Sequence, residues 1–176
     1  MKILKTILIV IVVLIAIPLI IALFVSKEYV VSSEITINKP SQQVFDYVKQ
    51  LRNQENYNKW VMADPNMKKD LRGTDGTVGF VYAWDGNDDV GKGEQEITRI
   101  EEGKEINTQL RFIKPMEGEA VTKMATIPVE NGTKVTWEMT GKNKYPMNFM
   151  NLFIGKMLGK DQMTSLTKLK ETLEKQ

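Results

Sequence analysis

The sequence predicts an α+β protein in which an antiparallel sheet is covered by a long C-terminal helix and is preceded by one transmembrane helix. Three observations predict this arrangement. Residues 6–25 are apolar and uncharged, apolar and polar side chains alternate over much of residues 78–139, and apolar residues recur at helical spacing over 148–174. Two-residue alternation is typical of half-buried strands, whereas the last pattern is typical of an amphipathic helix.

The composition removes several kinds of chemistry. The 176 residues include no cysteine and no histidine, which removes disulfides, thiolate nucleophiles and the commonest metal ligand. Acid–base chemistry would therefore depend on Asp, Glu, Lys or Tyr. With Lys2 and Lys5 set aside, 22 basic and 22 acidic residues remain, a poor electrostatic match for nucleic acid. We expect no nucleic-acid partner, no cofactor and no metal.

The apolar run "TILIVIVVLIAIPLIIALFV" at residues 6–25 is expected to be a membrane anchor. A helix of this length spans about 30 Å, the thickness of the hydrocarbon core of a bilayer. A cleaved signal peptide is the alternative, but its apolar region is usually shorter and ends in a small-x-small site. We therefore predict an anchor over residues 1–26 and a separate domain over 27–176.

Basic residues predict the orientation of the anchor. Lys2, Lys5 and the amino terminus precede the span, and Lys27 with Glu28 follow it. The positive-inside rule then favours a cytoplasmic N-terminus. The protein is expected to be a single-pass membrane protein with its domain on the extracytoplasmic face.

A strand and two short helices are expected after the anchor. The alternation within "EYVVSSEITIN", residues 28–38, predicts a strand. Ser41 follows Pro40 and is expected to cap a helix whose apolar residues repeat at helical spacing. A second helix is predicted over residues 53–59, ending near Trp60.

The next segments predict an antiparallel meander. In "GTVGFVYAWDGN", Val78, Phe80, Tyr82 and Trp84 alternate with other residues and would share one face. Two further strands are expected to join at residues 102–103. A hairpin is expected at residues 131–132, where Asn-Gly is a strong turn signal.

The C-terminal helix, residues 148–174, is expected to cover the apolar face of this sheet. Its apolar residues are expected to fall mainly on one stripe, which comprises Phe149, Leu152, Phe153, Met157, Met163, Leu166, Leu169 and Leu173. Gly155 and Gly159 interrupt the first half, where they would permit close packing or a kink on the sheet; a membrane-type helix contact is the alternative.

This order of elements resembles the helix-grip fold of the START-like, or SRPBCC, superfamily. The segment "ITINKPSQQVFDYVKQLRNQENYNKW" is similar to the family opening of strand, Pro-led helix and short helix ending in Trp. The segments "GTVGFVYAWDGN", "VGKGEQEI" and "LTKLKETLE" are similar to the polyketide cyclase/dehydrase branch. The resemblance covers residues 28–175 and implies a long cavity for a hydrophobic ligand between the sheet and the last helix.

The resemblance does not imply one reaction, because its members include enzymes, lipid carriers and ligand sensors. No polar residue matches a catalytic motif, so no catalytic residue is assigned. Gln95, Thr108 and Tyr82 are expected on the inner face, where they could orient a ligand oxygen. The residues expected to line the cavity are Trp60, Met62, Phe80, Tyr82, Trp84, Gln95, Thr108, Leu110, Phe112, Met124, Trp137, Met139, Phe149, Phe153 and Met157.

The stretch "YNKWVMADPNMKKD" raises the question of a catalytic Asp64. Asp followed by Pro is more typical of a turn, so we expect Asp64 at the cavity rim. The predicted function is membrane-anchored binding of a hydrophobic small molecule or lipid. The alternatives are a cyclase or dehydratase without a histidine base, and a non-catalytic interaction module of the cell envelope whose protein partners are unknown.

Overall fold

The computed structural model describes residues 2–176. Within this range the chain forms four α-helices, two 3₁₀ helices and one seven-stranded sheet. The α-helices are α1 (Lys2–Phe24), α2 (Ser41–Lys49), α3 (Lys59–Met62) and α4 (Asn151–Glu174), and the 3₁₀ helices are Leu51–Asn56 and Met147–Met150. The predicted helix at 53–59 is therefore two short segments, and Trp60 lies within the second one.

Every strand pairs with its neighbours antiparallel, and the order across the sheet is β1-β7-β6-β5-β4-β3-β2. Strands β2 to β7 thus form a meander, and β1 joins its last strand. The strands are β1 (Glu28–Ile37), β2 (Lys68–Arg72), β3 (Val81–Asp85), β4 (Lys92–Glu101), β5 (Glu105–Lys114), β6 (Gly118–Val129) and β7 (Gly132–Lys142).

The sheet has local irregularities where it bends. The β4–β5 pairing shifts register between Lys92 and Gly93 and again between Ile97 and Arg99. Such bulges increase twist and bend a strand, which allows an antiparallel sheet to curl around a helix. The hairpin predicted at residues 131–132 is present, with Gly132 at a φ of 123°.

Helix α4 packs across the concave face of the sheet. Its second half buries Leu166, Leu169 and Leu173 completely. Burial of each leucine contributes about 1.5–3 kcal/mol. Near the middle of α4, Ser33 Oγ on β1 donates a hydrogen bond to Gln162 Oε1 at 3.0 Å. The predicted helix-grip architecture is confirmed: a curved antiparallel sheet wraps a long C-terminal helix.

The stripe predicted for the first half of α4 was wrong. Leu152, Phe153 and Met157 are exposed, and the side facing the protein carries Ile154 and Leu158. Steps of three or four residues back from the buried leucines lead through a polar residue, Gln162, to Leu158 and Ile154. Because Gln162 is polar, it interrupts the apolar pattern of the inward-facing side. The prediction therefore relied on the largest apolar side chains, which lie on another side of the helix.

Two local predictions also need correction, and one strand was not predicted. Ser41 is the first residue of α2, and Pro40 before it makes no side-chain cap, so the expected Ser41 cap is absent. Val78 lies in a turn and is 60% exposed, so it does not continue the inner face of β3. Strand β2 was missed because "KKDLR" is mostly charged; as the edge strand it has a neighbour on one side only.

Helix α1 is long and apolar enough to span a membrane. Nearly all of its side chains are exposed, and Ala22 near its end is the one that is buried. A soluble core helix would bury much of its surface. Only three residues separate α1 from β1.

Candidate functional site

A cavity of about 300 Å³ lies between the inner face of the sheet, α3 and the first half of α4. This volume is at the lower end of the roughly 300–1,000 Å³ range of small-molecule sites. The residues around it are Tyr29, Gln54, Asn58, Trp60, Val61, Met67, Tyr82, Trp84, Asp89, Val90, Gln95, Leu110, Phe112, Thr122, Trp137, Met139, Ile154 and Leu158.

Two pairs of aromatic rings form much of the wall. Trp60 on α3 meets Trp137 on β7 edge to face, with ring centroids 5.9 Å apart. Trp84 on β3 meets Phe112 on β5 in the same way at 6.3 Å. Edge-to-face pairs hold aromatic rings in defined positions. The wall is therefore a preformed apolar surface made by side chains from four separate elements.

A chain of buried neutral groups crosses the floor of the cavity. Asn58 Nδ2 donates to Gln54 Oε1 at 2.8 Å, and Gln54 Nε2 donates to Gln95 Oε1 at 3.0 Å. Gln95 Nε2 then donates to Thr108 Oγ1 at 2.8 Å, and the Thr108 and Thr122 hydroxyls are 2.7 Å apart. We call these five residues the amide–hydroxyl chain. It offers hydrogen-bonding groups without charge.

The hydroxyl of Tyr82 is held by a hydrogen bond to the carboxylate of Glu55. The hydroxyl donates to Glu55 Oε1 at 3.2 Å, and Lys69 Nζ lies 2.8 Å from the other oxygen of that carboxylate. Burial raises the pKa of Tyr82, and the negative charge of Glu55 raises it further. The phenol therefore stays protonated and acts as a hydrogen-bond donor.

Charged groups lie outside the cavity interior. Among residues 2–176 no Asp, Glu, Lys or Arg side chain is buried, and Asp89 at the cavity mouth is exposed. On the outer face of β4 and β5, Arg111 Nη1 lies 2.9 Å from both Glu94 Oε1 and Glu96 Oε2. The interior can thus bind apolar groups and hydrogen-bond a neutral oxygen or nitrogen.

Asp64 connects two loops beside the cavity. Its Oδ1 accepts a hydrogen bond from the backbone N of Asn66 at 3.1 Å, and its Oδ2 accepts one from the backbone N of Asn87 at 2.8 Å. The first bond is the Asx-type turn expected from the sequence. The second ties the turn to the 86–90 loop, which places Asp89 and Val90 at the cavity mouth. Both carboxylate oxygens are thus occupied by a structural role.

The structure brings together eight of the fifteen predicted lining residues, namely Trp60, Tyr82, Trp84, Gln95, Leu110, Phe112, Trp137 and Met139. Thr108 and Met124 border a smaller space of about 20 Å³, which is also lined by other members of the amide–hydroxyl chain. Met157 lines a separate open groove. Met62, Phe80, Phe149 and Phe153 line none of these spaces: Phe80 is packed in the core, and Phe153 is 49% exposed.

Ten residues that line the cavity were not predicted from the sequence. Gln54 and Asn58 are four residues apart, the spacing of one helical face, but both are polar and gave no apolar signal. Thr122 shares its face with Met124 by strand alternation and could have been found. The remaining lining residues that were not predicted are Tyr29, Val61, Met67, Asp89, Val90, Ile154 and Leu158.

The fold and the site together define a helix-grip protein with an apolar cavity under its C-terminal helix. A family model described as "Polyketide cyclase / dehydrase and lipid transport" matches residues 29–174. The chain belongs to this family. No protein of curated function matches the sequence.

Solved structures share the fold at low sequence identity. A protein from Mesorhizobium loti is 17% identical with a TM-score of 0.61, over 84% of this chain and 98% of that one. The Aha1 dimer from Colwellia psychrerythraea is 19% identical with a TM-score of 0.58, over 83% and 96%. The di-domain ARO/CYC StfQ of the steffimycin biosynthetic pathway is 10% identical with a TM-score of 0.64, over 84% and 51%.

Proposed function

We propose that this protein binds a neutral hydrophobic small molecule or lipid in its cavity while α1 anchors it in a membrane. The cavity itself carries the proposal: its wall is aromatic and aliphatic, and its floor presents amides and hydroxyls. A bound molecule would place its apolar body against the tryptophans and one neutral polar group against the amide–hydroxyl chain. The lipid-transport wording of the family description agrees with this ligand class.

The absence of charge favours a neutral ligand over a free acid or a phosphate. Transfer of an ionised group into an apolar interior is costly unless a partner neutralises it. None of the side chains from residues 2–176 around the cavity is basic. A long-chain alcohol, an ester, a ketone or an isoprenoid fits the lining better than an anion does.

The anchoring half of the proposal is supported by α1. It combines a length that crosses a bilayer with almost complete exposure of its apolar side chains. Outside a membrane this surface would be in water, at a cost of about 25 cal/mol for every Å² of apolar area. A bilayer is the environment that removes this cost.

The native tryptophans provide the test. All three tryptophans of the chain line the cavity, and bromine quenches tryptophan fluorescence on contact. We expect a bromine-labelled long-chain alcohol, titrated into the full-length protein in nanodiscs, to quench this fluorescence saturably. Leu110→Phe narrows the cavity and should weaken binding about tenfold, equivalent to about 1.4 kcal/mol.

Val121→Phe is the matched control, because Val121 lies on the outer face of β6 and is 45% exposed. It should leave the binding curve unchanged. Quenching that never saturates and is equal in the wild type and both variants would mean that the alcohol enters only the bilayer. That result would reject the cavity as a binding site.

A cyclase or dehydratase reaction is the second candidate, which the family description favours. Its ionisable groups would have to come from Tyr29 or Asp89, because Tyr82, the third titratable residue of the lining, stays protonated and bonded to Glu55. Native mass spectrometry after incubation with a linear polyketone separates the two functions. Loss of one water from the polyketone supports cyclisation with dehydration. A changed chromatographic retention of the released molecule at unchanged mass supports cyclisation without dehydration, whereas recovery of the unaltered linear polyketone supports binding alone.

A further inference from the structure

A second, open concavity adjoins the cavity. It has a volume of about 1060 Å³ and lies between residues 111–119, which carry the β5–β6 turn, and residues 142–158. Phe112, Ile154 and Leu158 line both this groove and the cavity. The groove and the cavity thus adjoin at these shared side chains.

Large apolar side chains on the wall of this groove face solvent. On the β5–β6 side Met116 is 62% exposed, and on the α4 side Met157, Met147 and Tyr145 are 57%, 44% and 46% exposed. We call these four residues the groove rim. Exposed apolar side chains gathered around one opening are typical of an interaction or membrane surface.

Hydrogen bonds attach the segment beside the groove rim to the end of α1. Asn148 is fully buried, and its Nδ2 donates to the backbone carbonyls of Ala22 at 2.6 Å and Val25 at 2.8 Å. Asn151 Nδ2 donates to the carbonyl of Ser26 at 2.8 Å. The 3₁₀ helix that carries Met147 is therefore held against the last turn of α1.

We infer that the groove rim rests in the interfacial layer of the bilayer that α1 spans, so that the groove opens into lipid. This inference relies on the membrane anchoring in the proposed function. Phe24 and Glu28 are four residues apart, which allows at most about 14 Å of extended chain. With Asn148 and Asn151 bonded to the same segment, the rim lies at the level where α1 leaves the hydrocarbon core.

The charges around the groove fit a lipid headgroup layer. Lys142 and Lys144 line the groove, and Lys114 and Lys156 lie beside its two walls; all four are exposed. Glu117 and Glu119 also line it. Lysines beside exposed methionine and tyrosine side chains can reach lipid phosphates while the apolar groups enter the acyl boundary. With the groove open to the bilayer, a membrane lipid would have a short apolar path past the side chain of Phe112 into the cavity.

Single-cysteine spin labels test this placement, because the chain contains no cysteine. Labels would be attached to Met116→Cys and Met157→Cys in the full-length protein, reconstituted into phosphatidylcholine vesicles with a minor anionic lipid. The collision rate of each spin label with oxygen, which is enriched in lipid, is compared with its collision rate with a water-soluble nickel complex. We expect a several-fold higher oxygen-to-nickel ratio at both rim positions than at the control.

Ile127→Cys is the matched control: Ile127 is 47% exposed and lies near the opposite end of the sheet. Its partner on β7 is Lys134, eight residues from Lys142 at the groove, or about 26 Å along a strand. Equal ratios at all three positions would overturn the inference. Protection of the rim from both collision partners, with spin–spin broadening, would mean that a second copy covers it and would also overturn the inference.

Failure of the docking inference can be told apart from failure of the proposed function. If the protein does not float with the vesicles, α1 is not an anchor, and the docking inference falls together with the anchoring half of the proposed function. If it floats but the rim reports water, only the docking inference falls. The tryptophan quenching experiment reports on the cavity in either case.

Discussion

The indole ring of Trp84 occupies the space that a side chain at Gly93 would need. The two residues are directly opposite each other on β3 and β4. A Cβ atom added to Gly93 would lie 2.6 Å from Cζ2 of Trp84 and 2.6 Å from the carbonyl oxygen of Arg111. Gly93 therefore allows the ring to lie across the sheet, where it meets Phe112 and forms part of the cavity wall.

Gly93→Ala should displace Trp84 and lower the free energy of unfolding by about 1–3 kcal/mol, as overpacking typically does. Chemical denaturation measures this loss, and the shift of the ring should also weaken binding of the brominated alcohol. Gly118→Ala is the control, since a Cβ there meets nothing closer than 3.9 Å. Equal stability of the two variants would show that the ring is not constrained by Gly93.

Gln95→Leu should break the amide–hydroxyl chain at its centre. The change leaves Gln54 Nε2 without its acceptor and removes the donor to Thr108. Loss of a buried partner costs about 1–3 kcal/mol of stability. We also expect a reduced preference for the brominated alcohol over a brominated alkane, measured by tryptophan quenching.

Gln109→Leu serves as the comparison for that variant. Gln109 is on the adjacent strand, is partly exposed, and its side chain makes only a 3.4 Å contact with the carbonyl of Leu110. It should keep both the stability and the preference for the alcohol. If Gln95→Leu and Gln109→Leu have the same stability and the same preference for the alcohol, the amide–hydroxyl chain does not recognise the polar group of the ligand.

Gly155→Ala should stabilise the protein. A Cβ atom at this helical position meets no atom within 4 Å, and alanine is favoured over glycine within a helix by about 0.5–1 kcal/mol. Thermal or chemical unfolding should show the gain. Gly159→Ala is the paired variant: its Cβ would contact Val31 at 3.7 Å, so we expect a smaller gain. A loss of stability in Gly155→Ala would mean that a partner packs on this face.

Glu94 should contribute to the loss of stability in acid. Burial acts to raise the pKa of Glu94, but hydrogen bonds and charges from Arg111 and Arg72 outweigh it and lower the pKa below its ordinary value of 4.5. A lowered folded pKa stabilises the protein fully above the ordinary value. This contribution is lost as the pH falls through the lowered pKa.

Glu94→Gln should therefore reduce stability by about 0.2–1 kcal/mol at neutral pH, the range for partly exposed ion pairs. The difference from the wild type should shrink as the pH falls below 4.5 and disappear once the pH is below the lowered pKa of Glu94. Denaturation at a series of pH values measures this. Glu130→Gln is the control, because Glu130 is exposed and makes no ion pair within residues 2–176. A pH-independent difference for Glu94→Gln would contradict the electrostatic explanation.

Much of the fold could be predicted because its signals are local. The alternation in β4 to β7, the Asn-Gly turn and the apolar run of α1 each depend on residues close in sequence. The cavity was only partly predictable. Trp84, Leu110 and Trp137 follow from strand alternation, whereas Ile154 and Leu158 depend on the rotation of α4 about its own axis, which Gln162 obscured.

The sequence by itself determined the apolar span, the absence of cysteine and histidine chemistry, and the order of the helices and strands apart from the edge strand β2 and the division of the 53–59 helix. These features follow from backbone periodicity and residue chemistry, which are local properties. Only the tertiary structure decided which side chains surround an empty space and which fill the core. Phe80 and Tyr82 alternate on one segment, yet Phe80 is in the core and Tyr82 at the cavity. That distinction depends on how far α4 stands from the curved sheet at each point, a distance set by the packing of residues far apart in the chain.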